Sequence, residues 1–142
     1  MEEKESEITK AVKEAVVNAV EKGEHIKEKV CEITKNAVTK ALEGAEVTRE
    51  KVESVAKAVM KGAIEGSRKA ETDAAEVTKG AVEGIIEGTR QAGVKTADLA
   101  EHAAKAVLDS AKEAGDKAMD VVKDVVEGFF GGVKEVLEKE KE

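Results

Sequence analysis

The chain contains no proline, no tryptophan and no tyrosine, and it has one cysteine and two histidines. Without proline, no residue removes a backbone donor or clashes with a preceding turn, so nothing of that kind interrupts a helix. Phe129 and Phe130 are the only aromatic side chains, which leaves no platform for stacking bases. The formal net charge of −7 supplies no basic field for a phosphate backbone. Nucleic acid is therefore not an expected partner. A single cysteine, Cys31, closes no internal disulfide, and the default compartment is the reducing cytoplasm. No apolar run approaches the roughly 18 residues of a membrane span, so no transmembrane segment is expected. The first nine residues are acidic and lack the apolar core of a secretory signal.

Chemistry is equally sparse. His25, His102 and Cys31 are the only soft metal ligands, and no His-x-x-x-His, Cys-x-x-Cys or Glu-x-x-His set occurs. The expected roles of the histidines are solvated or packed ones, and Cys31 reads as a small apolar residue at the border of a stripe. No Gly-x-Gly-x-x-Gly run and no Gly-Lys-Ser/Thr loop is present. The expectation is a non-enzymatic chain with no catalytic residue, no metal and no cofactor.

What is present is a repeat. From Lys10 to Lys141 the sequence falls into six rows of 22 residues, preceded by an acidic segment at 1–9. Column 11 holds Val20, Leu42, Ile64, Ile86, Leu108 and Phe130; column 2 holds Ala11, Ile33, Val55, Val77, Leu99 and Val121. Column 12 is acidic (Glu21, Glu43, Glu65, Glu87, Asp109) until Gly131, and column 4 is basic except at Glu101. Twenty-two residues make six turns at about 3.67 residues per turn, the period of nearly straight packed helices. Laid on that helix, apolar and small columns cover about half the circumference, lysines flank it, and carboxylates fill the back. Acid–base pairs three apart, such as Glu65–Arg68 and Glu87–Arg90, add about 0.2–0.5 kcal/mol each to the same helix.

Glycine follows the columns. Gly62, Gly84 and Gly128 share one, Gly44, Gly66, Gly88 and Gly132 another, and Gly80 extends the ridge. An interior glycine costs a helix about 1 kcal/mol relative to alanine. Such a run in register, a glycine zipper, predicts close approach of another backbone. The predicted helix-packing interface is Gly62, Gly66, Gly80, Gly84, Gly88, Gly128 and Gly132 with Ile64, Ile86, Leu108, Phe129 and Phe130. Both phenylalanines are expected to bury near the opposite end of a neighbouring helix.

The expected fold is one all-α domain over residues 1–142, an antiparallel bundle of three long amphipathic helices at about 6–44, 48–92 and 96–138. Each would run about 60–65 Å. Ser6 is the expected first cap, Gly44 and Thr48 bracket one turn, and Gly93 with Thr96 or Asp98 brackets the other. Gly23 is expected to loosen a helix without ending it. Thr72-Asp73, with Asp73 and Glu76 as a capping box, and Gly115-Asp116 are lesser turn candidates. The competing form is a broken rod that folds only with a partner.

Tandem 22-residue amphipathic units with basic borders resemble the repeats of exchangeable apolipoproteins. The 11-residue sub-repeat in Ser110-Ala111-Lys112-Glu113-Ala114-Gly115-Asp116-Lys117-Ala118 is similar to the late-embryogenesis-abundant class. Glycine-rich helical repeats of bacterial and archaeal proteins of unknown function share the pattern. The resemblance spans nearly the whole chain and is one of pattern. It implies lipid or apolar-surface binding in the first case and stress protection in the second. The residues themselves point first to a structural or interaction module that packs, self-associates or binds another helical protein through its glycine- and alanine-rich faces.

Overall fold

The computed structural model describes residues 2–43, 48–72, 74–92, 107–109, 123–124, 126–132, 134 and 138. The protein is all-helical, with no strand among the described residues. Four helices form its first two-thirds: α1 (Glu2–Lys22), α2 (Ile26–Leu42), α3 (Arg49–Lys69) and α4 (Ala74–Gln91). Residues 107–109 and 126–132 are also helical.

The expected helix at 6–44 is two helices. Gly23 adopts φ +72° and His25 φ +53°, both left-handed, and the chain folds back between them. Glycine enters that region without steric penalty. Its N–H also caps α1, bonding to Ala19 O at 3.3 Å and Val20 O at 3.0 Å. Gly23 therefore ends the helix it was expected only to loosen. The reversal is visible in one groove lined by Ala15, Asn18, Ala19 and Lys22 from α1 and by Lys29, Glu32, Ile33 and Asn36 from α2. Placed end to end, Ala15 and Asn36 would stand about 30 Å apart at 1.5 Å per residue. α1 also begins at Glu2, so Ser6 lies inside the helix. The acidic opening residues suit the positive end of the helix dipole.

The expected helix at 48–92 is divided as well. Thr48 caps α3 as anticipated, its side chain accepting from the Lys51 N–H at 3.1 Å. α3 stops at Lys69. Ala70 N–H bonds to Gly66 O at 3.0 Å, Glu71 N–H to Arg68 O at 3.1 Å and Thr72 N–H to Ser67 O at 3.1 Å. With Glu71 at φ +55°, this is a Schellman ending in which a glutamate occupies the position glycine prefers. Asp73, Gly44, Gly93, Thr96, Asp98, Gly115 and Asp116 lie outside the described residues.

The packing is not that of three long antiparallel rods. α3 runs beside α1 in the same direction: Gly62 faces Thr9 and Val12, and Gly66 faces Lys13 and Val16. α4 runs beside α2 in the same direction, Gly80 facing Val30, Gly84 facing Thr34 and Gly88 facing Val38. Residues 128 and 132 advance along α4 from Thr78 to Val82 in the same sense. Among the described residues, α1–α2 and α3–α4 are thus two stacked helical hairpins, with α3 parallel to α1 and α4 parallel to α2. The core joins Val12, Val16, Val30, Val38, Val52, Val59, Met60, Val77, Ile85 and Val107 into one cluster. α4 sits in the middle, and every residue from Gly80 to Ile86 is buried. Breaking each long helix halves its length but lets both halves of the apolar stripe find cover within the chain. Burial of about 25 cal/mol per Å² favours that outcome.

Candidate functional site

A helix that carries Gly-x-x-x-Gly presents a strip of bare backbone. In this protein that strip is occupied from the opposite side by β-branched residues of the previous hairpin. A Cβ built on Gly62 would lie 2.9 Å from Val12 Cβ, one on Gly66 2.9 Å from Val16 Cβ, and one on Gly80 3.1 Å from Val30 Cβ. One on Gly84 would overlap Thr34 Oγ1, and one on Gly88 would lie 2.8 Å from Val38 Cβ. One on Gly128 would lie 2.6 Å from Thr78 Cβ, and one on Gly132 2.8 Å from Val82 Cβ. All seven pairs are separated by 50 positions in the chain. Main-chain carbonyls close in beside the side chains: Thr9 O would be 2.5 Å from a Cβ at 62, and Ala75 O 2.5 Å from one at 128. Real Cβ atoms do not enter such spaces. Val and Thr suit the role because a branched Cβ restricts χ1 in a helix, to one main rotamer for Val and two for Thr, so little freedom is lost on being gripped.

Hydroxyl groups at these contacts are handled in three ways. Thr9 Oγ1 crosses from α1 to donate to Ala58 O at 2.8 Å in α3. Thr34 Oγ1 turns back on its own helix, within 2.9 Å of Val30 O and 3.1 Å of Cys31 O. Thr78 Oγ1, at the corresponding place in α4, is buried with no hydrogen-bond partner. Leaving a buried hydroxyl unbonded costs on the order of 1–3 kcal/mol.

The other interface residues named from the sequence divide into two groups. Ile64 and Ile86 are buried, Leu108 is half-buried against the core, and Phe129 is 8% exposed. Phe130 is 62% exposed, contrary to the expectation that both rings bury. The ring of Phe129 meets that of Phe130 edge to face, with centroids 5.4 Å apart. Two residues beyond Gly128 a helix has turned by about 200°. Phe130 therefore points directly away from α4, the side on which Ile86 of α4 is itself covered.

The remaining candidate residues lie apart from one another among the described residues. Cys31 is half-buried, with its Sγ 4.0 Å from Glu87 Oε2. His25 is exposed in the turn after α1, and His102 lies outside the described residues. No group of three or more His, Cys, Asp or Glu side chains among the described residues is placed to hold a metal ion. No helix among them is long and apolar enough to cross a membrane.

The sequence columns name the glycines but not the residues opposite them. A signal for the partners was present: Val12, Thr34 and Thr78 share one column, Val16, Val38 and Val82 another. These columns stand six positions before the two glycine columns. Only the folding back of the chain shows that the partner lies two rows earlier. The first hairpin departs from the rule. In the two glycine columns it has Asn18, Lys22 and Lys40 and keeps only Gly44, the fifth row has Ala106 and Ser110, and where Gly80 stands in the fourth row the second has Asn36.

No curated protein and no solved structure matches the chain. Residues 2–141 match DUF6781, a family of unknown function, and with nearly its full length covered the chain belongs to that family.

Proposed function

We propose that the protein is a non-enzymatic structural and interaction module, a hairpin stack that uses its glycine faces to build itself and its remaining surface to meet a partner. The observation that carries this reading is the set of seven glycine seats, all with the same 50-residue separation. Residues committed to close helix packing on this scale specify a shape, and in the sequence the titratable residues stay with the repeating columns. The groove on the outer face of the first hairpin mixes Lys22, Lys29 and Glu32 with Asn18 and Asn36, with no nucleophile paired to a base. A cytoplasmic setting fits the lone thiol.

The competing readings, an amphipathic binder of lipid or another apolar surface and a stress-protective chain, both require the apolar stripe to be uncovered in water. Much of the stripe is covered among the described residues, which favours the module reading: Val12, Val30, Val59, Val77 and Ile85 have at most 2% of their surface exposed. A far-ultraviolet circular dichroism melt with and without vesicles separates the three. The module reading expects a strongly helical, cooperative melt in plain buffer that vesicles leave unchanged. A chain that is unfolded in buffer and turns helical only on vesicles, or only on drying, overturns it.

A further inference from the structure

The turn between α3 and α4 is built from residues that a helix accepts. Ala70-Glu71-Thr72-Asp73 contains neither glycine nor proline, so no residue type in it stops a helix. Glu71 nevertheless sits at φ +55° with its side chain exposed. That left-handed conformation disfavours a residue with a Cβ by roughly 5–30-fold. In the 22-residue repeat its column holds Gly93 and Gly115 in the next two rows. The residue suited to such a turn thus occurs in this column, and it is not used at 71. The turn at 23–25 differs, because Gly23 takes its φ of +72° without penalty.

The repeat also keeps its phase through this turn. Rows begin at Ser54 and Glu76, and no residue is added or lost between Lys69 and Ala74. Joined as one helix from Arg49 to Gln91, α3 and α4 would carry Gly62, Gly66, Gly80, Gly84 and Gly88 along one face, because 22 residues complete six turns at about 3.67 per turn. The arms of an antiparallel hairpin that set one face on a common neighbour meet each other along the same side of each helix. In the straight helix that side becomes continuous as well. The two faces that α3 and α4 use in the hairpin are therefore both preserved when the turn is straightened.

We infer that the chain exchanges α4 with a second copy of itself by straightening the turn at 70–72. This rests on the module reading above and gives its self-association a route. Each copy keeps its own α3 on α1, with Gly62 on Val12 and Gly66 on Val16. Its α2 receives α4 of the other copy, through the seats of Gly80 on Val30, Gly84 on Thr34 and Gly88 on Val38. The two long helices lie antiparallel, α3 of one beside α4 of the other, about a two-fold axis at the turn. The assembly closes at two copies. No new surface is required, since every seat is filled by the residue type that fills it within one chain. Short hinges under strain invite such exchange, and straightening relieves the left-handed Glu71 in both copies. The closed chain prevails when dilute, and mass action favours the exchanged pair as concentration rises.

Disulfide trapping across α2 and α4 tests the inference. Cys31 Sγ lies 4.0 Å from Glu87 Oε2, so Glu87→Cys sets a second thiol against the native one. A link between positions 31 and 87 falls within one chain in the closed form and between chains in the exchanged form. The variant is melted, cooled slowly at low and at high concentration, oxidised and run without reductant. A covalent monomer is expected from the dilute sample and a covalent dimer, increasing with concentration, from the other. Neither the parent nor Cys31→Ser/Glu87→Cys should give that dimer. Glu71→Gly removes the strain and disfavours a straight helix at both hinges, at roughly 10-fold each, so the association constant should fall by roughly 100-fold. Sedimentation equilibrium of the parent, which needs no added thiol, should show the same dependence on concentration. A helical, cooperatively melting parent that stays monomeric after concentrated refolding, or a variant linked only within its own chain, overturns the inference and leaves the module reading standing. A covalent dimer that forms with either thiol alone, or that tolerates Glu71→Gly, overturns exchange through this turn. A parent that is unfolded alone removes both readings.

Discussion

Gly84→Ala sets two known effects against each other. Helix propensity by itself favours alanine by about 1 kcal/mol. Against this, the new methyl would overlap Thr34 Oγ1 and Cys31 O and stand 2.9 Å from Lys35 N. Two of those three atoms belong to backbone, so no side-chain rotation makes room. α2 and α4 would have to separate, and the same separation opens the seats of Gly80 and Gly88 on either side. Overpacking of a tight core typically costs 1–3 kcal/mol, and a backbone contact belongs at about 3 kcal/mol or above. The net expectation is a loss of about 2 kcal/mol. For a chain of this length each kcal/mol shifts the midpoint by roughly 3–4 °C, so Tm should fall by roughly 5–10 °C. The assay is a thermal melt followed at 222 nm, with Gly131→Ala as the control. The atoms nearest a methyl at 131 all belong to the flexible side chain of Lys79. There propensity should prevail and raise stability by about 0.5 kcal/mol. Adding Thr34→Ala to Gly84→Ala removes the hydroxyl overlap but not the carbonyl, so the pair should recover only part of the loss, with a coupling of about 0.5–1 kcal/mol. If Gly84→Ala melts at or above the parent temperature, the close approach of α2 and α4 is refuted.

Three further outcomes follow from single residues. Glu71 holds a left-handed conformation at the end of α3, which costs an L-residue about 1–2 kcal/mol; Glu71→Gly relieves that and gives back about 0.4–1 kcal/mol through a freer unfolded chain, so denaturant titration should show a net gain of about 0.5 kcal/mol. Thr48→Ala removes the side-chain oxygen that accepts from Lys51 N–H, and chemical denaturation should register a loss of about 1 kcal/mol. Phe129 is 8% and Phe130 62% exposed; Phe129→Ala should lower stability by about 3 kcal/mol or more, whereas Phe130→Ala should barely move the melt of the monomer. Equal effects of the two would contradict the placement of the rings.

Much of the fold was legible in the columns. The apolar stripe at Val12, Val16, Val30 and Val38 is the buried side of α1 and α2 because the period of an α-helix brings those positions to one face. Thr48 was readable as a cap because its side chain is short enough to reach the orphan N–H groups of a first turn. The glycines were readable because a helix-destabilising residue repeated in register needs a compensating contact. Phe130 was misread for the opposite reason: its column is buried in Leu42, Ile64 and Ile86, and periodicity carries no information about where a stack ends. His25 and Glu71 were also illegible. Both take left-handed backbone conformations, a place for which the sequence pattern points to glycine rather than to His or Glu.

By itself the sequence determined that this chain is helical, which side of each helix is apolar and which positions must lie against another backbone. Those properties depend on residues close in the chain and on a period that local geometry enforces. Only the tertiary structure decided which backbone that is. Reversals at 23–25 and 70–72, each closed by a few main-chain hydrogen bonds, place Gly62 on Val12 and Gly84 on Thr34 rather than at the ends of long rods. A period of 22 aligns faces equally well for either arrangement. The choice between them rests on how much apolar surface the whole chain covers at once.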